Sequence, residues 1–206
     1  MTSWQCFSDE TAQKYQDLGY WEPLTLGEHL ENWSETFGSR IALVEGDEKL
    51  TYEELNNKAN QLCSGFLNLG IKKGDKVVVQ LPNSIVFVLV SFALFKMGAI
   101  PIMAMPAHRE SELDGIFKLA QPTAYIVEKN YLGFNYTDMA HRLCERHAGI
   151  KHLLINDAAQ DFLKTNQSFS LQKPDLPKST DMALLLLSGG TTGTPKLIPR
   201  THADYA

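Results

Sequence analysis

Two hydrophobic periods take turns along the chain. Over Thr51 to Leu69 the residues Leu55, Ala59, Leu62, Phe66 and Leu69 recur every three or four positions, the spacing of a one-sided helix. Thr51 with Glu54 forms a capping box at its start, and Gly70 supplies its C-terminal stop. Thr25 with Glu28 marks a second helix start of the same kind. Short continuous apolar runs alternate with such segments. They predict strands at Lys76–Leu81, Ala99–Met103, Thr123–Val127, Lys151–Ile155 and from Met182 onward. Between them fall a helix capped by Asn83 or Ser84 and ending near Gly98, then helices at Glu110–Ala120 and Thr137–Ala148. Ile41–Val44 and Lys49–Thr51 are placed to pair through the Gly46-Asp47 turn.

Repeated strand–helix units imply an α/β fold with a largely parallel sheet flanked by helices. The polar stretch 157–180, carrying Pro174 and Pro177, reads as a surface connection before the sheet is re-entered. The apolar segment Ile85–Phe95 is far short of the ~20 residues that span a bilayer. Asn83, Ser84 and Lys96 bracket it, so a buried helix is expected.

The last apolar run, Asp181 to Leu187, feeds Ser188-Gly189-Gly190-Thr191-Thr192-Gly193-Thr194-Pro195-Lys196. Its glycines permit close backbone approach, its hydroxyls and lysine supply donors and charge, and successive N–H groups form an anion nest. A buried strand followed by such a loop is a way to hold phosphate. The Walker spacing is absent, because Pro195 precedes the lysine and Leu197 follows it. The dinucleotide fingerprint fails too, since Gly189 and Gly190 are adjacent. Pro195 also blocks an immediate helix, so Lys196–Arg200 is expected to be extended, with Thr201 capping a later helix opposite Asp204.

The loop with Leu-Ile-Pro-Arg-Thr-His behind it resembles the phosphate-binding loop of the AMP-forming adenylating enzymes, in the branch that activates aryl acids such as 2,3-dihydroxybenzoate for siderophore assembly. Leu50-Thr51-Tyr52-Glu53-Glu54-Leu55, Val77 to Asn83 and Met105-Pro106-Ala107-His108-Arg109 are similar to that branch as well. The resemblance implies ATP and Mg²⁺, an aryl-acid substrate, and a thiol acceptor on a carrier-protein phosphopantetheine or coenzyme A. It implies that Ser188, Gly189, Gly190, Thr191, Thr192, Gly193, Thr194 and Lys196 bind nucleotide phosphate, with Lys196 also serving catalysis. It further implies that residues 1–206 are the N-terminal part of a longer adenylation domain, inactive and marginally soluble alone. Fatty-acyl and amino-acid activating relatives are the same-class alternatives, and a non-catalytic orphan half-domain is the different-class one.

Composition narrows the partners. Nineteen Lys and Arg stand against twenty-four Asp and Glu, a net charge of −5, with no basic block for nucleic acid or an anionic membrane. Against that background Lys196, Arg200 and His202 form a local basic group beside the loop. Cys6, Cys63 and Cys144 are scattered, which suits reduced thiols in the cytoplasm. His108-Arg109 is a candidate cavity lining or a solvated helix entry. His141, His147 and His152 lack metal spacing and are expected in solvent, and Trp4, Trp21 and Trp33 as packing anchors.

Overall fold

The computed structural model describes residues 7–156, 176–188 and 196–206. The chain runs α1 (Asp9–Asp17), α2 (Leu26–Phe37), β1 (Ile41–Glu45), β2 (Glu48–Thr51), α3 (Tyr52–Asn68), β3 (Lys76–Gln80), α4 (Ile85–Met97), β4 (Ile100–Met103) and α5 (Glu110–Ala120). It continues with β5 (Ala124–Val127), β6 (Asn130–Tyr131), β7 (Phe134–Asn135), α6 (Tyr136–Arg146), β8 (His152–Ile155), β9 (Met182–Leu187), β10 (Leu197–Thr201) and α7 (His202–Tyr205).

The capping chemistry expected of Thr25, Thr51 and Thr201 is present as three reciprocal boxes with Glu28, Glu54 and Asp204. Glu54 titrates below the usual carboxylate range because it accepts the Thr51 backbone N–H. Ser84 rather than Asn83 caps α4, its hydroxyl accepting from the Phe87 amide. Gly98 then stops that helix in the left-handed region, at φ 71°. The one helix end that shifts is that of α6, which closes at Arg146 rather than Ala148. His147 is the C-cap, and its ring nitrogen lies 2.9 Å from Asp114 on α5.

Six strands form one sheet in the order β10-β9-β4-β3-β5-β8. All its ladders are parallel except β9–β10, which is an antiparallel hairpin. The chain leaves β3 for β4 on one side and returns to β5 on the other. Successive crossovers therefore cover opposite faces. Val77 and Val79 face a core made with α3 and α4, while Val78 and Tyr125 face a second core made with α5 and α6. Helix α4 is apolar on every side because α2 and α3 cover what the sheet does not. Gly27 permits that layering, since a Cβ there would sit 2.9 Å from Lys96 Cγ and 3.2 Å from Lys96 Cα. Lys96 itself is buried and pairs with Glu31 at 2.6 Å.

Pro199 stands in β10 at the open margin of the sheet, opposite Leu185. Two small hairpins, β1–β2 and β6–β7, decorate the fold. The expected connection 157–180 lies outside the described residues up to 175. From Leu176 the chain is fastened by Lys73, which donates to the Leu176 carbonyl and pairs with Asp181 at 2.7 Å.

Candidate functional site at the carboxyl edge of the sheet

Strand β9 is buried through its middle by Ala183, Leu184 and Leu185, and it delivers Ser188 to the carboxyl edge of the parallel sheet. In open α/β sheets ligands lodge beyond these strand ends, near a point where crossovers change face. Here the strand order reverses between β3 and β5, so β4 and β3 stand between that point and β9. Gly189, Gly190, Thr191, Thr192, Gly193, Thr194 and Pro195 lie outside the described residues. Their two flanks are described. The Ser188 amide donates to the Lys196 carbonyl at 2.9 Å, and the Lys196 amide donates to Ser188 Oγ at 3.2 Å. These bonds extend the β9–β10 ladder by one rung and close the neck of the loop. Ser188 thus spends one lone pair on the backbone while its own O–H stays free to donate. Lys196 is exposed beside it.

The other members of the expected basic group do not join Lys196. Arg200 pairs with Asp204 at 3.0 Å. His202 lies beyond the far end of β10, about 20 Å away by strand rise. It is fully buried, with Nδ1 accepting from the Leu26 amide at 3.2 Å and the ring edge-on to Phe95. Burial pushes its pKa down to about 4 against the pull of Asp181 and Glu28. It holds the start of α2, away from the loop neck.

His108 and Arg109 close the β4–α5 loop. His108 is buried, Nδ1 accepting from the Met105 amide, and desolvation lowers its pKa. Arg109 lies over the Phe134 ring at 4.1 Å and donates to the carbonyls of Pro106 and His108. The solvated-entry alternative therefore fails for His108. Gln80, which sequence reading passed over, ends β3 with its side chain fully buried. Its Nε2 donates to the carbonyls of Met105 and His108 at 3.0 and 2.9 Å, and its Oε1 accepts from Tyr125. Burial pushes the Tyr125 phenol far up, so it remains a donor. The available signal was a glutamine directly after three valines in β3.

On the opposite side of β3 the same edge holds a cavity of about 660 Å³, walled by Glu45, Glu48, Lys58, Glu128, Tyr131 and Asn156. Three carboxylates against one ammonium make this cavity a poor host for polyphosphate. Among the described residues no three His, Cys, Asp or Glu side chains converge as a metal site. His147, expected in solvent, is instead tucked against Asp114 and the Phe117 ring. Trp21 packs edge-on with Phe7 and Tyr15, and Trp33 with Tyr52 and Phe92, although Trp33 remains 39% exposed. Trp4 and Cys6 lie outside the described residues. Cys63 and Cys144 are free thiols, and burial raises the pKa of Cys63 to about 12. No helix among the described residues is long and apolar enough to cross a membrane.

An open, mostly parallel sheet whose strand end presents a hydroxyl-and-lysine loop neck is the architecture of a phosphate-binding α/β protein. More narrowly, the chain belongs to the AMP-binding enzyme family, whose model matches residues 30–206. It is 41% identical over 96% of its length to 2,3-dihydroxybenzoate-AMP ligase of Bacillus subtilis, covering 37% of that protein. Salicyl-AMP ligase / salicyl-S-ArCP synthetase of Mycobacterium tuberculosis is 36% identical over 97% of the chain, which covers 37% of it. The apo structure of Mycobacterium smegmatis MbtA superposes with a TM-score of 0.90 at 35% identity, over 98% of this chain and 38% of that one. The chain thus spans little more than a third of the length of these relatives.

Proposed function

We propose that this chain is the N-terminal part, residues 1–206, of the adenylation domain of an ATP-dependent ligase that activates an aryl acid such as 2,3-dihydroxybenzoate in siderophore assembly. The observation that carries the reading is the loop neck. Ser188 and Lys196 are bonded to each other at a buried strand's end, which supports a phosphate-binding role for the segment between them. The aryl-acid names of relatives at 34–41% identity favour that substrate class over fatty acids. The fatty-acyl-CoA synthetase structure among the similar folds is 19% identical and speaks for the fold alone.

In this reading the hydroxyls of Ser188, Thr191, Thr192 and Thr194 and the amides of Gly189, Gly190 and Gly193 hold the β- and γ-phosphates of ATP. A carboxylate oxygen of the acid attacks the α-phosphorus. The bond from that phosphorus to the bridging oxygen breaks, and pyrophosphate leaves with the electron pair. Lys196 offsets the charge building on the departing group without transferring a proton. A thiolate, from a carrier-protein phosphopantetheine or coenzyme A, then attacks the acyl carbon and displaces AMP. Mg²⁺ would share in offsetting that charge, held by groups outside residues 1–206.

The test is aryl-acid-dependent exchange of labelled pyrophosphate into ATP by the full-length protein carrying this chain. Lys196→Ala removes a charge-assisted contact of about 1.5–3 kcal/mol, and exchange should fall about 10- to 150-fold. Gly190→Val should cost more, because its side chain intrudes where phosphate approaches. Exchange absent with every aryl acid, or unchanged in Lys196→Ala, overturns the reading.

A further inference from the structure

The β4–α5 loop, residues 104–109, carries more internal fastening than its length requires. Three of its carbonyls, those of Met105, Pro106 and His108, are tied inward. Gln80 takes those of Met105 and His108, and the Pro106 carbonyl accepts from Tyr136 Oη at 2.8 Å and from Arg109 at 2.6 Å. The Met105 amide is spent on His108 Nδ1, and the Ala104 amide on the Val79 carbonyl at 2.9 Å. Gln80 and Tyr125 are both fully buried, and Gln80 has all three of its polar interactions made. A buried network satisfied this completely fixes one arrangement, since losing any member strands the others. What the loop turns outward is plain by contrast: Met105 is 58% exposed and Ala107 is exposed.

Register places this wall. Ile102 stands opposite Leu185 in the parallel β4–β9 ladder. The loop that follows β4 at Met103 and Ser188 that follows β9 at Leu187 thus leave neighbouring strand ends at the carboxyl edge. The loop therefore borders the neck of the phosphate loop, with one strand spacing between them.

We infer that Gln80 is a positioning residue, which through its bonds to the Met105 and His108 carbonyls holds the 104–109 loop as a fixed wall of the reaction cleft beside Ser188. The inference rests on the adenylating function proposed above. Gln80 touches no substrate and acts only through the loop. Nucleotide phosphates are held by other residues, so loosening the wall leaves ATP binding in place and disturbs the alignment of the organic reactant. Misplacements of about 1 Å at such distance cost up to about 100-fold in rate.

The test uses the full-length protein carrying this chain and Gln80→Leu, which keeps bulk and removes all three interactions. Aryl-acid-dependent exchange should lose about 10- to 100-fold in kcat/KM for the acid, with KM for ATP within about 2-fold of wild type. Independently, in protein labelled with methyl-¹³C methionine, the Met105 signal should sharpen and move toward its unfolded position, while that of buried Met139 stays put. If Gln80→Leu fails to fold, Tyr125→Phe removes one hydroxyl only and should cost about 3- to 10-fold with the same split. Unchanged kcat/KM for the acid with an unmoved Met105 signal overturns the inference, as does a loss that falls equally on ATP. A wild-type protein without acid-dependent exchange sinks the functional reading instead, and the Met105 signal alone then decides whether Gln80 orders the loop.

Discussion

Replacing His202 by Asn should remove a defined part of the protein's sensitivity to acid. In the fold, Nδ1 of His202 accepts from the Leu26 amide, so the ring's single proton sits on Nε2. Protonating Nδ1 would set two N–H groups against each other in a site with no solvent access. Asp181 and Glu28 pull toward the charged form, but burial outweighs both, with Lys73 adding to it, leaving a pKa of about 4. The unfolded chain has about 6.5 at this group. The folded value is the lower one, so the unfolded state binds more protons between the two. Stability is therefore full above about pH 6.5, falls as pH drops, and levels off below about pH 4. The integrated effect is about 2 kcal/mol between about pH 7 and about pH 5, and about 3 kcal/mol by the lower limit. In His202→Asn the amide oxygen can still accept from Leu26, but nothing titrates. Urea unfolding of both proteins across this window gives the comparison, and the wild-type-minus-variant difference isolates His202 from His108, whose pKa is lowered in the same direction. A difference that stays flat with pH would refute the argument.

Other substitutions probe the neck and the helix layer. Ser188→Ala should leave the Lys196 amide without its side-chain acceptor and weaken ATP binding several-fold in the full-length protein, about 3- to 10-fold for a bond of this class. Ser188→Thr should restore it, as read by equilibrium nucleotide titration. Gly27→Ala forces a methyl within 2.9 Å of Lys96 Cγ and should destabilise the fold by about 1–3 kcal/mol in urea unfolding, with α2 lifting from α4.

What could be read from the chain alone follows the range of the interactions involved. Helices announced by Thr25, Thr51 and Thr201 appeared where expected, because a capping box is complete within four residues. The extended stretch after Lys196 was legible for the same local reason, through Pro195. Neither α1 nor the short β6–β7 hairpin was anticipated, since their apolar faces are too brief to set a period. Site residues divided along the same line. Ser188 and Lys196 were picked out by motif and lie at the neck of one loop. Gln80, His202 and His147 were missed or misplaced, because each is defined by partners between 25 and 176 positions away. Nothing near Gln80 in sequence says that its amide will meet the Met105 and His108 carbonyls.

Pro199 has an effect beyond the native fold. Lacking an N–H, it leaves a gap in the outward row of donors on β10, and an incoming strand would find no bond there. Such an imperfect zipper discourages sheets of neighbouring molecules from stitching together.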